Sequence, residues 1–361
     1  MNLKYYSNSL NPKLIKSIQN SIITWYLNDH RDLPWRNTTD PYKIWISEIM
    51  LQQTQVNTVI DYFNRFVKHL PTVEALANID DETLMKLWEG LGYYRRARNL
   101  KKAAQMIVHN FEGVLPKEHK SILTLSGIGP YTAGAILSIA YNLPYAAIDG
   151  NVIRVYSRLF KIEEEVDRND IKKVIDELGD KLVSLNNPSA YNQGLMELGA
   201  LVCTPQNPKC EVCPVIAYCE SNKVGIQNQL PRKKPKKKAS AFTFDLCLIE
   251  NDAHLLVIKR PEKGVLGGLW SLPQVERQKN QNDIINWIFK TYALSVKPKG
   301  AFQKETHIFT HQKWNMRYKQ FEVKENTIKT DLEYRWIPIN DLGQLAFPTA
   351  YLKILKKNYK F

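Results

Sequence analysis

The chain reads as two folded domains of different class, a mainly α-helical N-terminal domain that closes on a cysteine-rich loop and an α+β C-terminal domain. Three observations predict this. Apolar residues between positions 11 and 220 recur at helical spacing, as in Leu14, Ile15, Ile18, Ile22, Ile23, Trp25 and Tyr26, with short Gly- and Pro-marked turns between segments. Four cysteines, Cys203, Cys210, Cys213 and Cys219, stand at spacing C-x6-C-x2-C-x5-C near the end of that region. Past a basic, proline-containing run the apolar period changes to that of strands. The 361 residues suffice for two or three separate cores. The expected boundaries are 1–222 for the helical domain with its cysteine loop at 203–219, 223–240 for the linker and 241–361 for the α+β domain.

In chain order, Asp40-Pro41 is an N-cap followed by proline at the first helical position, which predicts a helix from Pro41 through Gln53. In it Ile44, Trp45, Ile46, Ile49, Met50 and Leu51 surround one carboxyl, that of Glu48. Burial raises a carboxyl pKa toward the range a general acid needs near neutral pH, whereas pairing with an arginine such as Arg36 would hold it ionised. Glu48 alone leaves the two open. Residues 123–136 read as a helix, a tight turn through Gly127 and Gly129, and a second helix opening at Pro130. Such glycines let a phosphate approach the backbone, where helical N–H groups attract it. Asp149, in Ile148-Asp149-Gly150-Asn151, stands at the expected N-cap of another helix. A carboxylate there serves as a cap, or stabilises a cationic sugar beside a second, protonated carboxyl.

The cysteine loop carries Pro205, Pro208 and Pro214 and is too short for a core of its own, so a metal or cluster is expected to hold it together. Spacing alone leaves zinc and iron–sulfur level, since only one C-x2-C pair is present. The run PRKKPKKKAS from Pro231 to Ser240 cannot bury itself and reads as linker. Strands are expected at 241–249, 254–260, 301–309, 316–323 and 334–339, with a helix at 283–292. Fifty Lys+Arg against 36 Asp+Glu leave a net charge of +14, which favours a polyanionic partner. No membrane segment or targeting signal is read and the cysteines look reduced, so a cytoplasmic, nucleoid-associated monomer is expected and a secreted disulfide scaffold is excluded.

Glu48 in WISEIMLQQTQV, GLGYYRRARNL at 90–100, LSGIGPYTAGAI at 125–136, IDGNVIRV at 148–155 and the four cysteines together resemble the MutY family of adenine DNA glycosylases. The resemblance implies a helix-hairpin-helix glycosylase domain whose cysteines hold a 4Fe–4S cluster, as in the related endonuclease III group. It also implies a partner, double-stranded DNA carrying adenine opposite 8-oxoguanine or guanine. Glu48 would protonate the imidazole ring of a flipped adenine, and Asp149 would stabilise or transiently bond the oxocarbenium sugar. Tyr131 and Asn151 would support that carboxylate and the attacking water, Tyr93 would wedge into the stack, and Leu51 and Gln53 would fill the vacated space.

The second domain is similar to a Nudix fold, with Gly267-Gly268-Leu269-Trp270-Ser271-Leu272-Pro273 where such a chain enters its catalytic helix. The REUxEE carboxylates that would hold magnesium are missing from Gln274-Val275-Glu276-Arg277-Gln278-Lys279, which excludes pyrophosphate hydrolysis. In the family this domain reads 8-oxoguanine with a Phe-Ser-His turn; here the turn is Phe309-Thr310-His311. An endonuclease III-type pyrimidine glycosylase and lyase is the alternative, but Tyr131 stands where those relatives place their Schiff-base lysine. A catalytically silent DNA-binding scaffold would have no use for Glu48 and Asp149 in these settings.

Overall fold

The computed structural model describes residues 10–235, 240–262, 264, 266–276, 279–309, 312–325 and 327–361. By packing, residues through Ile79 together with Arg98–Pro235 make one unit, and Asp80–Ala97 with the chain from Lys236 onward make another. The helices in chain order are α1 Pro12–Asp29, α2 Pro41–Leu51, α3 Val56–His69, α4 Val73–Asn78, α5 Asp81–Leu87, α6 Arg95–Phe111, α7 His119–Ile122, α8 Pro130–Tyr141, α9 Gly150–Leu159, α10 Asn169–Leu182, α11 Pro188–Leu201, α12 Glu220–Lys223, α13 Gln281–Tyr292 and α14 Thr349–Asn358.

The helix starts in the first unit are written in the sequence. Asn11 and Asp40 each accept a backbone N–H ahead of a proline at the first position, at Leu14 N and Tyr42 N. Helix α2 is buried continuously from Ile44 to Met50, and α8 from Thr132 to Ile139. Helices apolar all round belong at the centre of a domain, and these two pack on each other. Helix α2 stops at Leu51, two residues short of the expected Gln53, because Gln52 leaves helical torsions and Gln53 takes φ +59°. A second core gathers Ile18 and Ile22 of α1, Val155 and Tyr156 of α9, Leu178 of α10 and Leu198 of α11.

The second unit is built on a mixed sheet of β1 Ser240–Asn251, β2 His254–Lys259, β3 Trp270–Ser271, β4 Gln274–Glu276, β5 Val296–Ile308, β6 Gln312–Val323 and β7 Tyr334–Pro338. Its order is β3-β2-β1-β6-β5, with β4 against β1 and β7 against β2. Strands β1 and β6 are parallel, from Ser240↔Gln312 to Glu250↔Glu322, between antiparallel neighbours. Leu246 and Leu248 of β1 face α14 through Tyr351, Ile354 and Leu355, while Cys247 and Ile249 face α13 through Ile284 and Ile288. Burial on both faces explains why β1 is apolar without alternation. Residues 80–97, read from the sequence as part of the helical domain, pack in this unit. Arg335 donates to both Glu82 carboxylate oxygens at 2.8 and 2.9 Å, Phe347 N donates to Glu89 Oε1 at 2.8 Å, and Lys86 Nζ donates to Leu345 O at 3.1 Å. Among the described residues no helix is long and apolar enough to cross a membrane.

Candidate active site

A cavity of about 600 Å³ opens in the first unit, and Glu48, Tyr131, Asp149 and Asn151 all line it. Glu48 reaches it from the buried helix α2 and is 5% exposed. Burial raises its pKa to about 7, with the charge of Asp149 adding and a Tyr131 hydrogen bond opposing. That bond runs from Tyr131 Oη to Glu48 Oε2 at 2.5 Å, and the same hydroxyl lies 3.3 Å from Met196 Sδ. Tyr131 sits in the first turn of α8, so the buried packing of α8 on α2 fixes it against Glu48.

Arg36 does not pair with Glu48. It and Arg31 converge instead on Glu197 of α11, with Arg36 Nη2 at 2.6 Å and Arg31 Nη2 at 2.7 Å from Oε2, and Arg31 N at 3.0 Å from Oε1. Burial would raise the Glu197 carboxyl, but the hydrogen bonds from both arginines outweigh it and bring the pKa down to about 2. All three residues line the cavity. The sequence reading missed this group, because neither arginine nor Glu197 stands in a motif and only the fold brings positions 31, 36 and 197 together. The signal within reach was a glutamate among apolar neighbours, Leu195-Met196-Glu197-Leu198, as for Glu48.

Asp149 is the N-cap of α9, its Oδ1 accepting from Asn151 N at 2.8 Å and Val152 N at 2.7 Å. Asn151 Nδ2 donates to Oδ2 at 2.7 Å. Burial raises this carboxyl above its ordinary value, and the three hydrogen bonds act against that rise. Arg154 ties the cap to the cysteine loop, donating to Asn151 Oδ1 at 2.8 Å and to Cys203 O at 2.7 Å. Two carboxyls thus share one cavity in different surroundings, Glu48 buried beside one hydroxyl donor and Asp149 held by three N–H donors, the arrangement a general acid and a charge stabiliser require.

The remaining expected residues fall in several places. Leu51 and Gln53 line the cavity, as does Gly129, whose Cβ position faces open space before α8. No side chain caps α8. Gly127 takes φ +80°, and a Cβ there would meet the Asn99 side chain at 2.8 Å, so both torsion and space require glycine. Tyr93 belongs to the second unit, on an exposed turn. Phe309 packs edge-on against Trp314 and His307, with centroids 4.8 and 4.5 Å apart. Thr310 and His311 lie outside the described residues.

Cys203, Cys210, Cys213 and Cys219 border one small cavity together with Arg158. Buried Arg158 donates to Cys203 Sγ at 3.3 Å, to Thr204 O at 2.7 Å and to Pro205 O at 3.1 Å, placing a fixed positive charge beside the thiols. Short 3₁₀ turns at Cys210–Val212 and Ile216–Tyr218 contribute no buried residue. Val215 anchors the loop in the helical core, and four thiols around one cavity with a guanidinium against them fit a thiolate-ligated cluster.

Comparison with known proteins decides the family. Residues 46–181 match the HhH-GPD superfamily base excision DNA repair proteins, 203–219 the iron-sulfur binding domain of endonuclease III, and 246–357 the NUDIX domain. The adenine DNA glycosylase of Buchnera aphidicola subsp. Baizongia pistaciae (strain Bp) is 34% identical over 348 residues, spanning 94% of this chain and 96% of that protein. The chain belongs to the adenine DNA glycosylases. The Homo sapiens adenine DNA glycosylase is 30% identical over 406 residues, covering 95% of this chain and 74% of its own. A solved thermostable thymine-DNA glycosylase is 31% identical with TM-score 0.54, covering 59% of this chain and 98% of its own. A trapped endonuclease III–DNA covalent intermediate, at 23% identity and TM-score 0.51, covers 60% of this chain and 99% of its own and shares the fold.

This glycosylase is therefore a hydrolase of the base-excision repair class with a 4Fe–4S cluster, and the iron-sulfur domain match spans the four cysteines from 203 to 219. Cys203, Cys210, Cys213 and Cys219 would hold the cluster, which would cross-link the loop through their thiolates. Metal analysis of the purified protein should find about four irons per chain and visible-region absorbance. Stoichiometric zinc without iron would contradict the assignment. In the NUDIX-like domain the chain leaves Pro273 as strand β4, and among the described residues the next helix is α13, from Gln281.

Proposed function

We propose that the protein hydrolyses the N-glycosidic bond of adenine mispaired with 8-oxoguanine or guanine in double-stranded DNA, acting as a monomer in the cytoplasm at the nucleoid. The observation that carries this reading is the pair of carboxyls sharing one cavity, Glu48 with a pKa near 7 and Asp149 held as a hydrogen-bonded cap. An adenine swung into the cavity places its imidazole ring within reach of Glu48. Proton transfer from Glu48 lets the base leave with the bonding electrons, and the Asp149 carboxylate stabilises the cationic sugar until water adds to it. Tyr131 orients Glu48 through its hydrogen bond, and Asn151 orients Asp149.

The Arg31–Glu197–Arg36 group gives the cavity a rigid polar wall whose acceptor and donors suit the donor and acceptors on an adenine edge. Gly127 and Gly129 admit a backbone phosphate at the start of α8, while Leu51 and Gln53 fill the space the base leaves. Tyr93 wedges into the stack, and Phe309, Thr310 and His311 read the opposite base. With tyrosine at position 131 in place of a Schiff-base lysine, the reaction stops at an abasic site.

The pH profile tests the acid–base assignment. Activity needs Glu48 protonated and Asp149 ionised, so single-turnover excision should fall as pH rises through about 7. It should fall again on the acid side, with the limb above the ordinary aspartate value of 3.8 because Asp149 is raised. A rate that stays flat from pH 6 to pH 9 would remove Glu48 as the acid.

A further inference from the structure

The turn before α6, Gly90-Leu91-Gly92-Tyr93, is held in an unusual conformation in part by one buried cation. Three of its four residues are left-handed, Gly90 at φ +97°, Gly92 at +70° and Tyr93 at +48°. An aromatic side chain resists that region, and such strain persists only where surrounding contacts enforce it. Tyr93 is nonetheless 39% exposed. Arg96 supplies several of the enforcing contacts. Its Nη2 donates to Leu91 O at 3.1 Å and to Gly92 O at 3.2 Å, and its backbone N donates to Tyr93 O at 2.8 Å. The guanidinium carbon lies 5.4 Å from the ring centroids of both Trp88 and Tyr93. Trp88 Nε1 adds a donor to Gly92 O at 3.1 Å, and Gly90 N donates to Tyr94 Oη at 3.3 Å.

Arg96 occupies a position unfavourable to a cation on two counts. It lies in the first turn of α6, where the helix dipole disfavours positive charge, and it is only 9% exposed. What it gains there are the carbonyls of the turn and a place against the Tyr93 ring. We propose that Arg96 is a positioning residue, locking the Gly90–Tyr93 turn in its left-handed form so that the Tyr93 ring is presented to a DNA base stack. This rests on Tyr93 acting as the wedge. A lysine would keep the charge but has no planar face to lay against the Trp88 and Tyr93 rings.

The test measures single-turnover excision by the full-length holoenzyme on two duplexes, one with adenine opposite 8-oxoguanine and one with adenine opposite an abasic site, where the stack is already open. Arg96→Lys should slow the paired duplex roughly tenfold or more, as expected for a displaced positioning group, and the abasic duplex much less. Tyr93→Ala should show the same selectivity, and the double variant should be no slower than Tyr93→Ala alone. Gly92→Ala gives an independent route: its Cβ meets nothing within 4 Å but its φ of +70° resists a side chain, so it should reproduce the pattern with Arg96 intact. Equal slowing of both duplexes by Arg96→Lys and Gly92→Ala, or a double variant slower than either single one, would overturn the proposal. Parent-like Arg96→Lys beside an impaired Tyr93→Ala would sink the positioning role alone, whereas parent-like Tyr93→Ala would remove the wedge and the proposal with it.

Discussion

Glu48→Gln is expected to abolish adenine release while leaving mismatch binding nearly intact. The amide fills the same buried space beside Tyr131, but it has no proton to give the departing base. A positioned acid contributes roughly a hundredfold to ten-thousandfold, so a variant within about tenfold of the parent in single-turnover excision would end the assignment. Stability supplies a second readout. The folded pKa of about 7 lies above the ordinary 4.5, so Glu48 costs the fold stability as pH rises from 4.5 through 7, by up to about 3 kcal/mol once fully ionised. The glutamine variant escapes this and should be the more stable protein at pH 8. A loss of activity with unchanged or raised stability at pH 8 therefore separates chemistry from misfolding.

Asp149→Asn should be similarly slow, for a different reason. Asparagine caps a helix about as well as aspartate, so the bonds from Asn151 N and Val152 N can be kept while the one from Asn151 Nδ2 is lost, and the variant should still fold. What disappears is the negative charge facing the sugar, and removing one well-placed electrostatic group costs roughly a hundredfold to a thousandfold in rate. Retained excision would show that the aspartate is a cap and nothing more.

Much of this site was legible in the sequence because its parts are local. Asp40-Pro41 announced α2, the apolar neighbours of Glu48 announced its burial, and Asp149-Gly150-Asn151 announced a capped helix, each within a few residues. The glycines of the hairpin were equally readable, although only Gly127 has a positive φ; Gly129 is extended and matters for open space. The Glu197 group was not legible, because its partners lie more than 160 residues away and two arginines before an apolar helix look like ordinary surface charge. The strained torsions of Gln53 and Tyr93 were hidden as well, since neither residue type signals a left-handed backbone. In the second unit β1, β2, β5, β6 and β7 were readable from composition, whereas the short β3 and β4 were not. The parallel pairing of β1 with β6, and the packing of residues 80–97 against Leu345 and Phe347, are long-range features that no local pattern carries.

The most direct test is excision from a duplex carrying one labelled adenine opposite 8-oxoguanine, with the same adenine opposite guanine and opposite thymine as comparisons. The account predicts strand cleavage at that adenine only after hot alkali, fastest opposite 8-oxoguanine, slower opposite guanine and not detectable opposite thymine. Cleavage without alkali, or release of an oxidised pyrimidine in preference to adenine, would contradict it.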